Sequence, residues 1–269
     1  MQPTDPLSSL DIAAAEGVGP TGHGASLDAL LRASVAIASG ADPAAATAHF
    51  TPWLAAQVAA DADAGRFALW GESTVIDEHS GTAVVGRPLF DLLHELAGVR
   101  AVWPVGNAGL LHVYGYLFSE EKTPFGYKRE RWMGGGVAAA LDLPSEHFSP
   151  WTVHGTETLL QRVTDAALPR LGAEPGHAGP AASVDEWDAA VLARTRVVVA
   201  ADGSAALVYG VRWPDSGAPM RLVTIFPVEA ASAEWLRALG SGPPRLRYNV
   251  AVAGREPGAA LRHTRFAVR

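Results

Sequence analysis

The sequence predicts an α+β fold, in which an N-terminal helical and mixed region is followed by a mainly antiparallel sheet with helices on one face. Helical periodicity with capping signals dominates residues 26–65, whereas apolar β-type runs dominate the second half of the chain. The pair Asp202-Gly203 lies between two such runs and is the strongest hairpin signal in the chain. Hairpins build antiparallel sheets, so these observations favour α+β over a parallel α/β fold.

Two helices are predicted first. Ser26 can cap a helix that ends at Gly40, because its hydroxyl can accept a backbone N–H of the first turn. Asp42 and Pro43 can start a second helix that runs to Gly65, since proline is favoured at the first helical position. Further helices are predicted over 88–97, 156–168 and 230–239, with a capping box at Ser183 and Glu186 opening another.

Strands are predicted wherever apolar and β-branched residues form short runs between turn residues. The run 110–118 is apolar enough for a central strand. The other predicted strands cover 66–76, 82–85, 99–104, 195–201, 205–213, 220–228, 246–253 and 261–268.

The distribution of Gly, Pro and Ser predicts the domain organisation. Residues 1–24 form a flexible lead-in, and residues 25–171 form a mixed α+β domain that carries the leading site. Residues 172–182 have the composition of a linker, and residues 183–269 form an antiparallel-sheet subdomain.

Composition excludes several classes of function. The 269 residues contain no cysteine, which excludes a disulfide framework, a thiolate nucleophile and a Cys-based zinc site. Dinucleotide, P-loop and nucleophile-elbow motifs are absent, and no cofactor is expected. The net charge of −7 argues against a nucleic-acid partner. The sequence has no signal-like opening and no long apolar run, so we expect a cytoplasmic protein with no membrane contact. A homodimer is left open.

The leading candidate site begins in the run 110–118. If this run is a strand, His112, Tyr114 and Tyr116 project from one face, since side chains alternate along a strand. Imidazole and phenol groups in a partly desolvated cleft can act as general acid and base. The alternative is a strand whose His and Tyr side chains pack in the core with their polar tips hydrogen-bonded.

A loop with both signs of charge follows this run and extends the candidate site. Glu120 and Lys128 are further catalytic candidates, because a carboxylate can move protons and a lysine of lowered pKa can act as a nucleophile. Arg129 and Arg131 can bind a carboxylate or phosphate through two parallel hydrogen bonds, and Trp132 can form part of a binding wall. The alternative is a solvated charged loop.

A second candidate segment covers 147–157. It places His154 and Thr156 near the start of a predicted helix, where backbone N–H groups favour an anion. We therefore include both residues as substrate-binding candidates. Thr156 is equally well explained as a helix cap, and His154 as a loop histidine.

The third candidate segment is the C-terminal tail, because charge is polarised along the chain. Residues 1–193 carry a formal charge of −13 and residues 194–269 a charge of +6. A solvated basic sheet face is one explanation, and an anion or RNA phosphate site is another. The basic and aromatic residues concerned are Arg245, Arg247, Tyr248, Arg262, His263 and Arg265.

Asp91, His94 and Glu95 share one predicted helix face and could in principle ligate a metal. A solvated helix face is the favoured explanation of this spacing, and no metal is expected.

Three functions are compatible with these residues. The first is a cofactor-independent hydrolase, lyase or cyclase of bacterial small-molecule metabolism, using His and Tyr acid–base chemistry on an anionic or amide- or ester-containing substrate. The second is a protein that binds or sequesters a small molecule in an aromatic cavity without catalysis. The third is a metal-free ribonuclease-like C-terminal module using His263.

Overall fold

The structure is a computed structural model that describes residues 23–77, 80–123, 126–151, 156–172, 182–188, 191–213, 217 and 219–228. Within these residues the fold is α+β, as predicted, with a helical N-terminal part and a four-stranded antiparallel sheet. The C-terminal elements predicted over 230–239, 246–253 and 261–268 lie outside the described residues, as do residues 1–22 and most of the predicted linker.

The helices of the described chain are α1 (His23–Ala38), α2 (Pro43–Phe50), α3 (Trp53–Asp63), α4 (Arg87–Leu96), α5 (Glu130–Met133), α6 (Gly136–Ala140) and α7 (Leu159–Gly172). The predicted start at Asp42 is confirmed, since its carboxylate accepts the Ala45 N–H at 2.8 Å. The single helix predicted to follow is interrupted at Thr51-Pro52, because Pro52 has no N–H to continue the helical hydrogen bonds.

The main sheet consists of β5 (Ala182–Asp188), β6 (Val191–Val199), β7 (Ala205–Arg212) and β8 (Arg221–Val228), paired in that order. The hairpin predicted at Asp202-Gly203 joins β6 and β7, and Gly203 adopts a left-handed φ of 86° there. The capping box at Ser183 and Glu186 does not start a helix. These residues belong to β5, because pairing with β6 along the whole strand outweighs the local capping preference.

Short strands complete the described structure. β1 (Glu72–Thr74) pairs with β2 (Val105–Asn107), and β3 (Lys122–Thr123) pairs with β4 (Gly126–Tyr127). The strand predicted over 66–76 is thus shorter and follows a 3₁₀ helix at Arg66–Leu69.

The predicted central strand over 110–118 is wrong. Leu110–Tyr114 forms a π-helical turn and Gly115–Phe118 a 3₁₀ turn, and all nine residues are buried. A short apolar run between turns fits a buried helix as well as a buried strand, so periodicity could not separate the two. Asn107 decides in favour of a helix, because its Oδ1 accepts the N–H groups of Gly109 at 3.0 Å and Leu110 at 3.2 Å.

Helix α7 packs against the sheet in one continuous hydrophobic core. The close approach is made possible by Gly210 of β7, where an added Cβ would lie 2.4 Å from the side chain of Leu171. On the helix itself, Thr164 accepts the Trp70 indole N–H at 2.9 Å and so ties α7 to the residues before β1. In the part of the chain that the structure describes, no helix is both long and apolar enough to cross a membrane.

Candidate functional site

The buried helical segment 110–118 is held from the side by β2. The N–H of Asn107 donates to Nε2 of His94 at 3.0 Å, and Nδ1 of His94 lies 2.7 Å from the carbonyl of Phe90. His94 therefore carries its proton on Nδ1, because Nε2 is used as an acceptor. The amide of Asn107 also donates to the Phe67 carbonyl at 2.9 Å. These bonds fix the point at which the helical segment begins.

The helical segment brings His112 and Tyr116 together, because residues four apart share a helix face. Their ring centroids are 4.7 Å apart. Two cations from the following segment lie near the Tyr116 ring, with Lys128 Nζ 5.8 Å and Arg131 Cζ 5.0 Å from its centroid. We refer to these four residues as the Tyr116 cluster.

His112 is only 4% exposed. Its Nε2 lies 2.9 Å from the Ser73 hydroxyl, whereas its Nδ1 has no hydrogen bond of normal geometry. Burial holds the pKa of His112 well below its usual range, and the positive charges of Arg131 and Lys128 lower it further. The backbone of Val223 acts in the opposite direction. A neutral imidazole of this kind can accept a proton.

Arg131 is a half-buried cation of the cluster. One guanidinium N–H donates to the Thr224 hydroxyl at 2.9 Å, and the Phe226 ring lies 5.7 Å away on the other side from β8. No carboxylate of the described residues forms a salt bridge with it, although Asp77 attracts it at longer range. Burial lowers the pKa of Arg131. A guanidinium has five N–H donors, so this one retains capacity for an anion.

Lys128 has a carboxylate partner in Asp77. The Lys128 Nζ lies 2.7 Å from Oδ2 of Asp77, and the Asp77 side chain is fully buried. Asp77 Oδ1 also accepts the N–H of Ser80 at 3.1 Å. Asp77 is therefore a buried carboxylate that reduces the net positive charge of the Tyr116 cluster.

Tyr114 does not share a face with His112 and Tyr116, so the predicted single wall of three polar aromatic side chains is wrong. The Tyr114 hydroxyl donates to Asp61 at 2.5 Å. Asp61 also accepts from Thr158 at 2.5 Å and from Arg66 at 2.9 Å. Each residue of a helix is rotated by about 100° from the one before it, so Tyr114, two positions from His112 and from Tyr116, points to a different side. Its phenol therefore reaches a separate, buried polar network on α3.

Two further predicted site residues, Arg129 and Trp132, donate hydrogen bonds to backbone carbonyls near the Tyr116 cluster. Arg129 donates to the Ser119 carbonyl at 2.7 Å, and its guanidinium lies 4.0 Å from the centroid of the Tyr127 ring. Trp132 is buried and donates from its indole to the His112 carbonyl at 2.7 Å. The indole therefore supports the helical segment rather than lining an open wall.

Glu120 and Thr156 are exposed, and His154 lies outside the described residues. Thr156 is not the cap of α7. The hydroxyl of Thr158 accepts the N–H of Gln161 at 3.0 Å and takes that role.

The metal site considered for Asp91, His94 and Glu95 is not supported, because His94 is not available as a ligand. Both ring nitrogens of His94 are engaged by backbone groups, and the ring is 5% exposed. Among the residues that the structure describes, no group of three His, Asp or Glu side chains is arranged to hold a metal ion.

Sequence reasoning missed the residues that reach the Tyr116 cluster from distant segments: Ser73, Asp77, Thr224 and Phe226. Ser73 belongs to β1 and Thr224 to β8, and no local pattern marks either as a neighbour of His112 or Arg131. Asp77 was visible as one of three consecutive titratable residues, but its burial depends on packing.

Comparison with models of protein families found no match to this sequence. Searches of curated proteins and of solved structures also returned no significant match.

Proposed function

We propose that the chain binds a small molecule carrying a carboxylate or phosphate group, and that this group contacts the guanidinium of Arg131 in the Tyr116 cluster. The observation that carries the proposal is a half-buried guanidinium that donates to Thr224 and has no carboxylate partner among the described residues. A desolvated cation is costly unless it is paired. An anionic ligand would supply the missing charge.

The chemistry of Arg131 favours carboxylate or phosphate over other anions. The planar guanidinium can donate two parallel hydrogen bonds to two oxygen atoms of one such group. Thr224 orients the guanidinium through one of its nitrogen atoms, and the nearby rings of Tyr116 and Phe226 restrict it further. An oriented donor loses less entropy on binding than a free side chain.

Sulfate is a suitable probe for this site, because it is fully ionised over the pH range of interest. Calorimetric titration of the full chain with sodium sulfate, at ionic strength balanced with sodium chloride, measures the dissociation constant. We expect Arg131→Gln to weaken binding about tenfold or more, since one charge-assisted contact contributes more than 1.4 kcal/mol. Arg131→Lys should weaken it less, because the charge stays but the fork geometry is lost.

Arg87→Gln is the matched control, because the Arg87 side chain is 69% exposed and pairs with Asp91 on α4. Its sulfate affinity should equal that of the wild type. Circular dichroism of each variant checks that the fold is retained. Equal sulfate affinity in a folded Arg131→Gln variant and in the wild type would overturn the proposal.

Catalysis is a second candidate, favoured by the hydrogen bond between His112 and Ser73. A neutral imidazole next to a hydroxyl is the pairing that activates a serine nucleophile for acyl transfer. A fluorophosphonate probe tests this function, because it labels activated serines. Labelling of Ser73 that disappears in His112→Gln would support a hydrolase. An unlabelled Ser73 in the folded wild type would contradict a hydrolase. The Ser73 side chain is completely buried, so labelling also requires that the probe gain access to it.

A further inference from the structure

We propose that anion binding at Arg131 is coupled to the uptake of one proton by His112, so that the site binds its ligand more tightly as the pH falls. The inference deepens the proposed function and rests on it. It concerns the regulation of the same site by pH.

The first step of the argument is the position of His112. The imidazole lies against the Tyr116 ring, and the two cations lie 5.0 and 5.8 Å from the centroid of that ring. Its Nε2 lies 2.9 Å from the Ser73 hydroxyl, and the backbone of Val223 reaches the ring as well, so a protonated imidazole has polar groups to donate to. Only 4% of the residue is exposed, which means that the nearby charges act on it with little solvent screening.

The second step is the charge around the imidazole. Lys128 and Arg131, in and just before α5, face it with positive charge, and Asp77 offsets one of these charges through its 2.7 Å ion pair with Lys128. The groups of the described chain that reach it from other elements are uncharged: the Ser73 hydroxyl of β1, the Tyr116 phenol and the backbone of Val223 on β8. Among the residues that the structure describes, the charged groups that act on His112 thus leave a net positive charge.

The third step is linkage. Burial and these two cations together hold the pKa of His112 well below its usual range. An anion on Arg131 neutralises part of the positive field, so the pKa of His112 rises when the ligand binds. Because linkage is reciprocal, protonation of His112 must strengthen anion binding by the same factor. The proton comes from solvent, and the imidazolium can donate from Nε2 to the Ser73 hydroxyl.

Two measurements on the full chain test this coupling, with sulfate as the probe. Calorimetry near pH 6 in cationic buffers of different ionisation enthalpy, such as Bis-Tris and imidazole, counts the protons taken up with each sulfate. We expect net uptake of up to one proton. The dissociation constant should also fall by about threefold or more between pH 8.0 and 5.5, because the protonated form of His112 favours the bound anion.

His112→Gln removes the titrating ring while an amide nitrogen remains available to Ser73, and its sulfate affinity should no longer depend on pH. His49→Gln is the control, because His49 is an exposed residue of α2, and the pH dependence should persist there. The calorimetric proton count needs no variant, so a count of zero overturns the coupling even if His112→Gln does not fold.

Arg131-dependent sulfate binding with no proton uptake and no pH dependence would overturn the coupling and leave the proposed function intact. Coupling that persists in a folded His112→Gln variant would assign the proton to another group and also overturn it. Absence of Arg131-dependent binding at every pH would overturn both proposals.

Discussion

The hydroxyl of Tyr114 donates a 2.5 Å hydrogen bond to the carboxylate of Asp61, and both side chains are buried. This bond connects the π-helical turn to α3. Thr158, which caps α7, and Arg66 donate to the same carboxylate. Four separate segments of the chain are therefore joined at one buried acid, close to the segment that carries His112.

Tyr114→Phe tests the contribution of this bond. Removing the hydroxyl leaves Asp61 with fewer donors in a buried position, so we expect the free energy of unfolding to fall by about 1–3 kcal/mol. Urea denaturation followed by tryptophan fluorescence measures the change. Tyr127→Phe is the control, because Tyr127 is only half-buried, and it should change stability by less than about 0.5 kcal/mol. Equal effects of the two substitutions would show that the bond contributes nothing specific.

The same carboxyl predicts a pH dependence of stability. Burial raises the pKa of Asp61, against the lowering effect of its three hydrogen-bond donors. A raised pKa means that the folded state holds the proton more tightly than the unfolded state does. This contribution to stability is therefore largest below the unfolded pKa, near 3.8, and is lost as the pH rises through the folded value.

Asp61→Asn removes this titration and allows the effect to be measured. The stability difference between wild type and Asp61→Asn, obtained by urea denaturation from pH 3.5 to 6.5, should move against the wild type as the pH rises. A difference that moves in favour of the wild type would mean that the donors outweigh burial. Asp63→Asn, at an exposed position of α3, is the control.

Gly106→Ala tests the packing of β2 against α4. An added Cβ would lie 2.3 Å from Nε2 of His94 and 2.8 Å from the Phe90 ring, so the alanine variant must displace buried groups. We expect a loss of about 3 kcal/mol in a chemical denaturation experiment. Gly86→Ala is matched in chemistry but its Cβ would meet only Pro88 at 3.8 Å, so it should be nearly neutral. Comparable stability of the two variants would contradict the packing described for His94.

Lys128→Met tests the buried ion pair with Asp77. Removing the ammonium group leaves a fully buried carboxylate without its cation, which should cost about 3–5 kcal/mol. The double variant with Asp77→Asn should recover part of this loss, because the unpaired charge is then also removed. The only other lysine of the chain, Lys122, is exposed, and Lys122→Met should leave stability unchanged. A Lys128→Met variant as stable as Lys122→Met would show that the pair is not formed in solution.

Local signals predicted the elements whose formation depends on local chemistry. Asp42 and Pro43 start a helix because a carboxylate and a fixed φ satisfy its first turn, whatever packs around it. Gly203 permits the left-handed turn between β6 and β7. The antiparallel sheet and the α+β class follow from such signals.

Local signals gave wrong predictions where burial or strand pairing outweighed local preference. The run 110–118 is buried along its whole length, so its periodicity did not separate a strand from a helix, and its helical form is supported by hydrogen bonds to Asn107. The capping pair Ser183 and Glu186 was overridden by pairing with β6.

The candidate site divides in the same way. The sequence by itself excluded thiol chemistry, since it has no cysteine, and showed that His112, Tyr116, Lys128 and Arg131 lie close along the chain. Tertiary structure alone decided that Tyr114 joins Asp61 instead, and that Ser73, Asp77 and Thr224 become neighbours of the Tyr116 cluster. The physical reason is that burial, charge balance and hydrogen-bond partners depend on segments far apart in sequence, and only packing brings these together.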